Sequence, residues 1–480
     1  KQLNQYKSLI KNSFLFAIGS IGSKAISFFM LPLYTRFLST SDYGQLDILQ
    51  TTISLLIPLV TFQAVEAVFR YSIDMREKDS ASSVLINGFS LCIVGILITL
   101  SLFPVFHHFE PFSSYIAFFY SIMFLTMFDS ILKQFVRGLE KIKTFVVSDL
   151  AYTASFVAFN IIFLVNLKWG LKGYFLSMVL AHLISIVILV FFGNVFKYLN
   201  FKFFDQSFLK TMLIYSIPLI PNGLMWWIMS VSDRYMLTYF LGFDATGLYS
   251  VSYKFPSLIT IMNSVFFMAW QLSAMQEYGK KGYENFYRNI FGVLSAFLFV
   301  ITGFILLILK PLMSIFVSEA FYESWKYVPM LLIGTVFQAF SSFFGTNYTA
   351  SKKTKGAFTT SVVGAIMNVG INILLIPIWG IQAAAFSTMV AYLTMWLMRV
   401  MDTKKFTKIK IDWKSLNFSV VIIGIQILGL YFIEDVALFF TAETLLVLIL
   451  LFIQRKYIKQ VYNFSINLLA ELREKSAEDI

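Results

Sequence analysis

The chain has 480 residues, of which 58% are apolar and only 13% charged, with a formal net charge of +12. Soluble domains carry about 25% charged residues, so this composition excludes an ordinary soluble domain and points to a chain dissolved in lipid. A strongly basic balance also suits nucleic-acid binding, but the placement of the charge argues against that partner and for membrane topology.

Fourteen apolar stretches follow one another, each near the ~20 residues that a helix needs to cross a bilayer. They are 11–37, 44–70, 83–105, 113–137, 143–166, 171–196, 209–241, 247–273, 285–309, 325–350, 354–377, 381–401, 415–433 and 436–454. The reading is an all-α polytopic membrane protein of about 14 transmembrane helices. The longest stretches are expected to tilt or kink. Pro32, Pro58, Pro218, Pro221, Pro256 and Pro329 lie within them, where the ring removes a helix hydrogen bond. The first stretch is too long for a signal peptide and has no cleavage-site pattern.

Of the 38 Lys and Arg residues, 30 fall towards the two ends of the chain and in or at the edges of every second gap, 5 in or at the edges of the alternate gaps, and 3 deep inside spans. Loops that stay in the cytoplasm retain Lys and Arg during insertion, so both termini are expected there. Most gaps are about 5–15 residues, too short to hold a folded extramembrane domain. A polysaccharide polymerase or other membrane enzyme usually needs longer external loops for its substrate groove, so a non-enzyme is expected.

Sequence motifs narrow the chemistry further. No phosphate loop, HExxH or CxxC occurs, and the single Cys92 sits mid-span, where it reads as a small apolar filler. His107 and His108 lie in an external gap beside Glu110, short of the three or four convergent ligands a metal needs. His182, alone in the sixth span, reads as a hydrogen-bonded interior group or a proton relay. No metal and no cofactor are expected.

The chain repeats itself. Phe37-Leu38 precede Gly44 at the spacing by which Phe240-Leu241 precede Gly247. Trp169-Gly170-Leu171 with Ser177 matches Trp379-Gly380-Ile381 with Ser387. The expected organisation is two pseudo-symmetric six-helix lobes at 1–200 and 201–410, two further spans in 411–456, and a cytoplasmic amphipathic tail at 457–480. A repeat with an even number of spans is parallel, and in such transporters the substrate passes between the halves.

An ionisable group in hydrocarbon costs at least about 2.5–3.5 kcal/mol, so charges inside spans should face a cavity or a partner. Lys24, Arg234 and Lys254 are deep and have no evident excess of deep acids against them; a surplus of cations suits an anion such as a phosphate. Around them stand Arg36 at the exit of span one, Asp47, Glu66 and Arg70 in span two, Asp129 and Lys133 in span four, and Asp233 beside Arg234. Glu66 and Arg70, one turn apart, read as a local ion pair or an inner gate. Asp129, Lys133 and Arg137 read as an anchor or a coupling site. Asn368 and Asn372 share one face of span eleven and read as helix–helix hydrogen bonding or sugar contacts.

The run SFLFAIGSIGSKAISFFMLPLYTRFLSTSDYGQLD, the EAVFRYS stretch at 66–72 and the stretch from SIPLIPNGLMWW to YSVSYKF at 216–255 resemble Wzx-type flippases for lipid-linked oligosaccharides. These form the polysaccharide transporter branch of the multidrug/oligosaccharidyl-lipid/polysaccharide exporter superfamily. The resemblance covers essentially the whole chain. It implies transfer of an undecaprenyl-diphosphate-linked sugar repeat unit from the inner to the outer leaflet, for O-antigen or capsule synthesis, by alternating access through a cationic cavity. Lys24, Arg234 and Lys254 then hold the diphosphate or an acidic sugar, and a proton or sodium gradient drives the cycle. Rival readings are a multidrug/cation antiporter, a lipid-linked peptidoglycan precursor flippase and a polymerase. The tail from 457, with Ile458, Val461, Leu468 and Leu472 near one helical face, suits a membrane-surface helix or a dock for polymer-synthesis partners.

Overall fold

The computed structural model describes residues 26, 28–75, 77–351, 353 and 355–478, without the side chains of 268, 269, 272 and 464–478. Among the described residues every regular element is helical. The α-helices of seven residues or more are, in chain order, α1 (Leu31–Phe37), α2 (Thr40–Val60), α3 (Ala64–Asp74), α4 (Lys78–Ser101), α5 (Ile116–Gly138), α6 (Ile142–Asn160), α7 (Gly170–Phe192), α8 (Gln206–Ser216), α9 (Ile220–Leu241), α10 (Phe243–Glu277), α11 (Tyr283–Phe316), α12 (Val328–Ala350), α13 (Lys355–Trp379), α14 (Ile381–Thr403), α15 (Trp413–Phe432) and α16 (Val436–Glu478).

Among the described residues eleven spans are long and apolar enough to cross a membrane, and the bent pair α2–α3, taken as one span, makes a twelfth. The chain is therefore a multi-pass membrane protein. Twelve spans meet the test rather than the fourteen expected. Of the remaining two, the stretch 11–37 lies mostly outside the described residues, and 247–273 falls on α10, a helix of 35 residues. Thr246, Ser250, Ser252, Lys254 and Asn263 break up the apolar run of α10.

The proline expectations have local outcomes. α2 and α3 meet at 57° just beyond Pro58, where Phe62 and Gln63 take left-handed backbone angles of 53° and 58°. The bend frees backbone groups that hydrocarbon cannot satisfy; Ser216, at the end of α8, donates to the Phe62 carbonyl at 2.6 Å. A 3₁₀ turn at Ile217–Leu219 carries Pro218 and divides α8 from α9.

The described residues pack as two compact units, one ending at Ser250 and the other beginning at Val251. In the first, α3, α4, α5 and α7 pack together, α6 folds back on α7, and α9 lies against α2. In the second, α14 lies between α12 and α13, and α11 carries α15 and α16. The packing division falls after Ser250, whereas the boundary expected from the repeat is near residue 200; α8 and α9 pack onto α3 and α2 and so belong with the first unit.

The repeat has a structural expression within each unit. The α6–α7 hairpin turns at Gly170 with φ +57°, and the α13–α14 hairpin turns at Gly380 with φ +66°, the left-handed region that glycine enters freely. At the other repeated position, Gly44 on α2 and Gly247 on α10 are in direct contact. A Cβ on Gly44 would lie 2.0 Å from the Phe243 carbonyl oxygen, and one on Gly247 would lie 2.0 Å from that of Thr40. Thr40 stands to Gly44 as Phe243 stands to Gly247, so each helix start meets the other by the same surface. Start α2 is fixed by a capping box: Ser39 Oγ accepts from the Asp42 N–H at 3.0 Å, and the Asp42 carboxylate accepts from the Ser39 N–H at 3.1 Å.

Gly247→Ala is expected to destabilise the protein by about 1–3 kcal/mol, the usual cost of overpacking. Gly370→Ala, where a Cβ meets nothing within 4 Å, should be harmless. Thermal unfolding in detergent distinguishes the two, and equal midpoints would refute the close crossing.

Candidate functional site

The contact between α2 and the α9–α10 hairpin carries the densest cluster of sequence-predicted residues. Beyond the glycine crossing, Asp244 accepts a hydrogen bond from Thr40 Oγ1. One turn deeper, the Arg234 guanidinium meets Asp47 with Nε 2.5 Å from Oδ2. Arg234 is 7% exposed; its Nη1 donates to the Ser230 carbonyl at 2.6 Å, and its guanidinium carbon lies 5.8 Å from the centre of the Tyr249 ring. Asp233, one residue earlier and so about 100° away around the helix, points elsewhere and accepts from Tyr249 Oη at 2.6 Å. Deeper again, Thr52 and Tyr235 hydroxyls are 2.6 Å apart, and Trp227 Nε1 donates to the Thr51 carbonyl at 3.2 Å.

This arrangement corrects the charge argument from sequence. Arg234 is matched by the span-two acid Asp47, so its charge is not surplus. Linear spacing could not reveal the pair, because 187 residues separate its members. Tyr249, which orients both Asp233 and Arg234, carries no sequence signal beyond its place one turn and a half into α10.

Asp129 and Lys133 form a second cluster, among α5, α6 and α7. Asp129 is 2% exposed. It accepts from Ser185 Oγ at 2.6 Å and pairs with Lys133 at 3.0 Å and with His182 Nδ1 at 3.3 Å. Lys133 also reaches Asp149 at 3.1 Å, and His182 Nε2 lies 3.2 Å from Thr126 Oγ1. The Tyr152 ring lies against both the Lys133 ammonium and the His182 ring. Two carboxylates, an ammonium and an imidazole thus satisfy one another inside the bundle. Asp149, Ser185 and Tyr152 were not singled out from sequence.

The other predicted residues disperse. Lys24 lies outside the described residues. Arg36 is exposed in the last turn of α1. Glu66 is exposed, and Arg70 pairs with Asp74 at 2.6 Å rather than with Glu66, which corrects the expected Glu66–Arg70 pair. Both partners are about half exposed, so the contact contributes little. Lys254 is half-buried in the second unit and makes no ion pair among the described residues. Asn368 and Asn372 are fully buried and share Ser387: Ser387 Oγ donates to Asn372 Oδ1 at 2.6 Å, and Asn368 Nδ2 donates to Ser387 Oγ at 3.3 Å. That is helix–helix hydrogen bonding between α13 and α14.

Arg399 lies near the end of the stretch 381–401, next to a basic gap. The structure buries it to 3% exposure in α14. Its guanidinium donates to Thr360 Oγ1 at 3.1 Å, to the Ser341 carbonyl at 2.7 Å and to Ser361 Oγ at 3.1 Å, tying α14 to both α12 and α13. Among the described residues no three His, Cys, Asp or Glu side chains are placed to hold a metal ion.

Residues 9–271, more than half of the chain, match the family of polysaccharide biosynthesis proteins. The chain belongs to that family. The resemblance read from the stretches around span one, 66–72 and 216–255 falls inside the matched region. An uncharacterized membrane protein of Methanocaldococcus jannaschii is 24% identical over 279 residues, 53% of this chain and 52% of its own, so the chain spans about half the length of the curated relative it matches. Among solved structures, the lipid II flippase MurJ in an inward closed conformation aligns with a TM-score of 0.68 at 13% identity, over 94% of this chain and all of that one. An inward-facing multidrug resistance MATE family transporter of the MOP superfamily aligns at 0.67 and 14% identity, over 81% of this chain and 95% of that one. An outward-facing MATE transporter aligns at 0.59 and 15% identity, over 84% and 97%. At these identities the likeness is one of fold.

Breaking a buried ion pair from one side costs about 3–5 kcal/mol, because the remaining charge is stranded. Asp47→Asn is therefore expected to destabilise the protein by that order, whereas Asp47→Asn with Arg234→Gln should lose less than Asp47→Asn alone. A double-mutant cycle in thermal or denaturant unfolding measures this, and simple additivity would show that the two side chains do not interact.

Proposed function

We propose that this chain is a flippase of the multidrug/oligosaccharidyl-lipid/polysaccharide superfamily that moves a polyprenyl-diphosphate-linked oligosaccharide, in bacteria an undecaprenyl one, from the inner to the outer leaflet of the cytoplasmic membrane. The observation that carries the reading is the match to the polysaccharide biosynthesis family over residues 9–271. That this family's chain has the fold of a lipid II flippase supports the same conclusion. The product would feed O-antigen- or capsule-type polymer synthesis, with the tail beyond 457 as a dock for that machinery. The excess of Lys and Arg at the chain ends and alternate gaps places both termini in the cytoplasm on this reading.

Elementary solvation gives the mechanism its form. The polyprenyl tail is already soluble in the bilayer and needs no carrier. The diphosphate and sugars would lose their water in hydrocarbon at a cost of several kcal/mol per polar group, so the protein supplies replacement polar contacts that face one leaflet at a time. Arg234 is the described residue best suited to a diphosphate, since a guanidinium binds phosphate oxygens in a two-pronged way. Asp47 holds it at 2.5 Å in this conformation. An arriving diphosphate exchanges one anionic partner of Arg234 for another, so Arg234 need never stand buried and uncompensated. Lys24 and Lys254 are the other proposed anion contacts. A proton or sodium gradient supplies the driving force in this scheme.

Depletion of the protein tests the reading. Single lipid-linked repeat units trapped on the cytoplasmic leaflet are the expected outcome; single units reaching an external glycosidase would indicate a polymerase, and no lipid-linked sugar accumulating would indicate an antiporter. Lys24→Ala, and the charge-balanced pair Asp47→Asn with Arg234→Gln, should reduce flipping at least tenfold at normal protein levels. Parent rates in both would remove these residues from the site.

A further inference from the structure

Helices α11, α15 and α16 enclose a carboxyl group that nothing above uses. Glu443 is eight residues into α16 and fully buried. Among the described residues it has no ion-pair partner. Its one hydrogen bond comes from the side-chain amide of Gln426 on α15, where Nε2 donates to Glu443 Oε2 at 2.8 Å. The same Nε2 lies 3.3 Å from the Gly303 carbonyl on α11. Two acceptors around Nε2 fix the amide's orientation.

That orientation leaves two buried oxygens without any hydrogen bond: Glu443 Oε1 and Gln426 Oε1. Buried polar atoms are rarely left so, because each orphan forfeits its solvation. Both are acceptors, so no rotation of protein groups already present satisfies either. One hydrogen does. A proton on Glu443 gives the carboxyl a donor to offer the amide oxygen, while Nε2 keeps Glu443 Oε2 and the Gly303 carbonyl as its acceptors. The space is also built for this pair. A Cβ on Gly429 would lie 2.7 Å from Glu443 Oε1, and one on Gly303 would lie 3.1 Å from Gln426 Oε1, so glycine at both positions keeps the pocket open.

We infer that Glu443 and Gln426 form a proton-binding site that links α15 and α16 to α11, and that it is occupied in this conformation. Among the described residues no cation is paired with Glu443. On α11, the Lys310 ammonium lies over the Trp325 and Phe439 rings at 4.7 and 5.5 Å, one turn from Glu443 along α16. On α15, the Tyr431 hydroxyl is engaged with the Lys326 carbonyl. On α16 itself the nearest ionisable residues, Glu434 and Asp435 before its start and Arg455 and Lys456 beyond, are more than two turns away. An ionised Glu443 would face hydrocarbon-like surroundings with one amide donor, so release of the proton is coupled to loosening of the three-helix contact. The site does not depend on what the chain carries.

Infrared difference spectroscopy of the full chain in lipid nanodiscs tests this. The expected result is a carbonyl band of a neutral carboxylic acid at pH 7, sensitive to deuterium exchange, diminishing in alkali and absent from Glu443→Gln. Glu443→Asp keeps an acid but withdraws it from Gln426, and should shift the band; it also serves if Glu443→Gln does not accumulate. Absence of such a band at pH 7, or a band unchanged in both variants, overturns the site and favours an ionised carboxylate bridged by water.

Discussion

Hydrocarbon offers no hydrogen bonds, so each polar or charged group carried into it must be met by another group of the same chain. The arrangement of this protein's interior follows from that constraint. It explains why the bend between α2 and α3 recruits Ser216 to the Phe62 carbonyl. It explains why the Arg399 guanidinium donates hydrogen bonds to two helices, and why Asp129 sits within reach of a lysine, a histidine and a serine. Contacts of this kind hold helices in register where lipid-facing apolar surfaces, being no more soluble in each other than in lipid, cannot.

The proposed transport site is a product of the same rule. α2 can meet the α9–α10 hairpin closely only because Gly44 and Gly247 lack side chains where the backbones cross. Close approach then brings Asp47 to Arg234 and stacks hydrogen bonds from Thr40 through Thr52 along one seam. A seam made of polar pairs suits a contact that must open, since each partner can be taken over by water or by a substrate's anionic headgroup. An apolar seam would give no such exchange.

Much of the architecture is legible in the linear sequence because it depends on periodic and compositional facts. Span length, the alternation of basic gaps, the glycine at the start of α2 and of α10, and the Trp-Gly hairpin turns are local features, and helices appear where they predict them. Of the fourteen expected spans, 11–37 lies mostly outside the described residues, and polar residues interrupt the apolar run of α10. Pairing was not legible. Glu66 and Arg70 have suitable spacing, but Asp74 offers Arg70 the same spacing on the other side, and one-dimensional geometry cannot choose between them. Arg399 stands five residues before Lys404, so in the linear sequence it is indistinguishable from the basic gap that follows; its burial depends on Ser341, Ala357 and Thr360, which carry no mark of that role.

Composition, span length and charge bias thus determined by themselves that this chain crosses a membrane many times as helices, since insertion reads those quantities one segment at a time. The partner of each buried charge was decided only by tertiary structure. Asp47 with Arg234, Asp129 with His182, and Glu443 with Gln426 lie on different helices. Electrostatic energy in a low-dielectric interior depends on distances of a few ångströms, which packing sets and sequence separation does not encode.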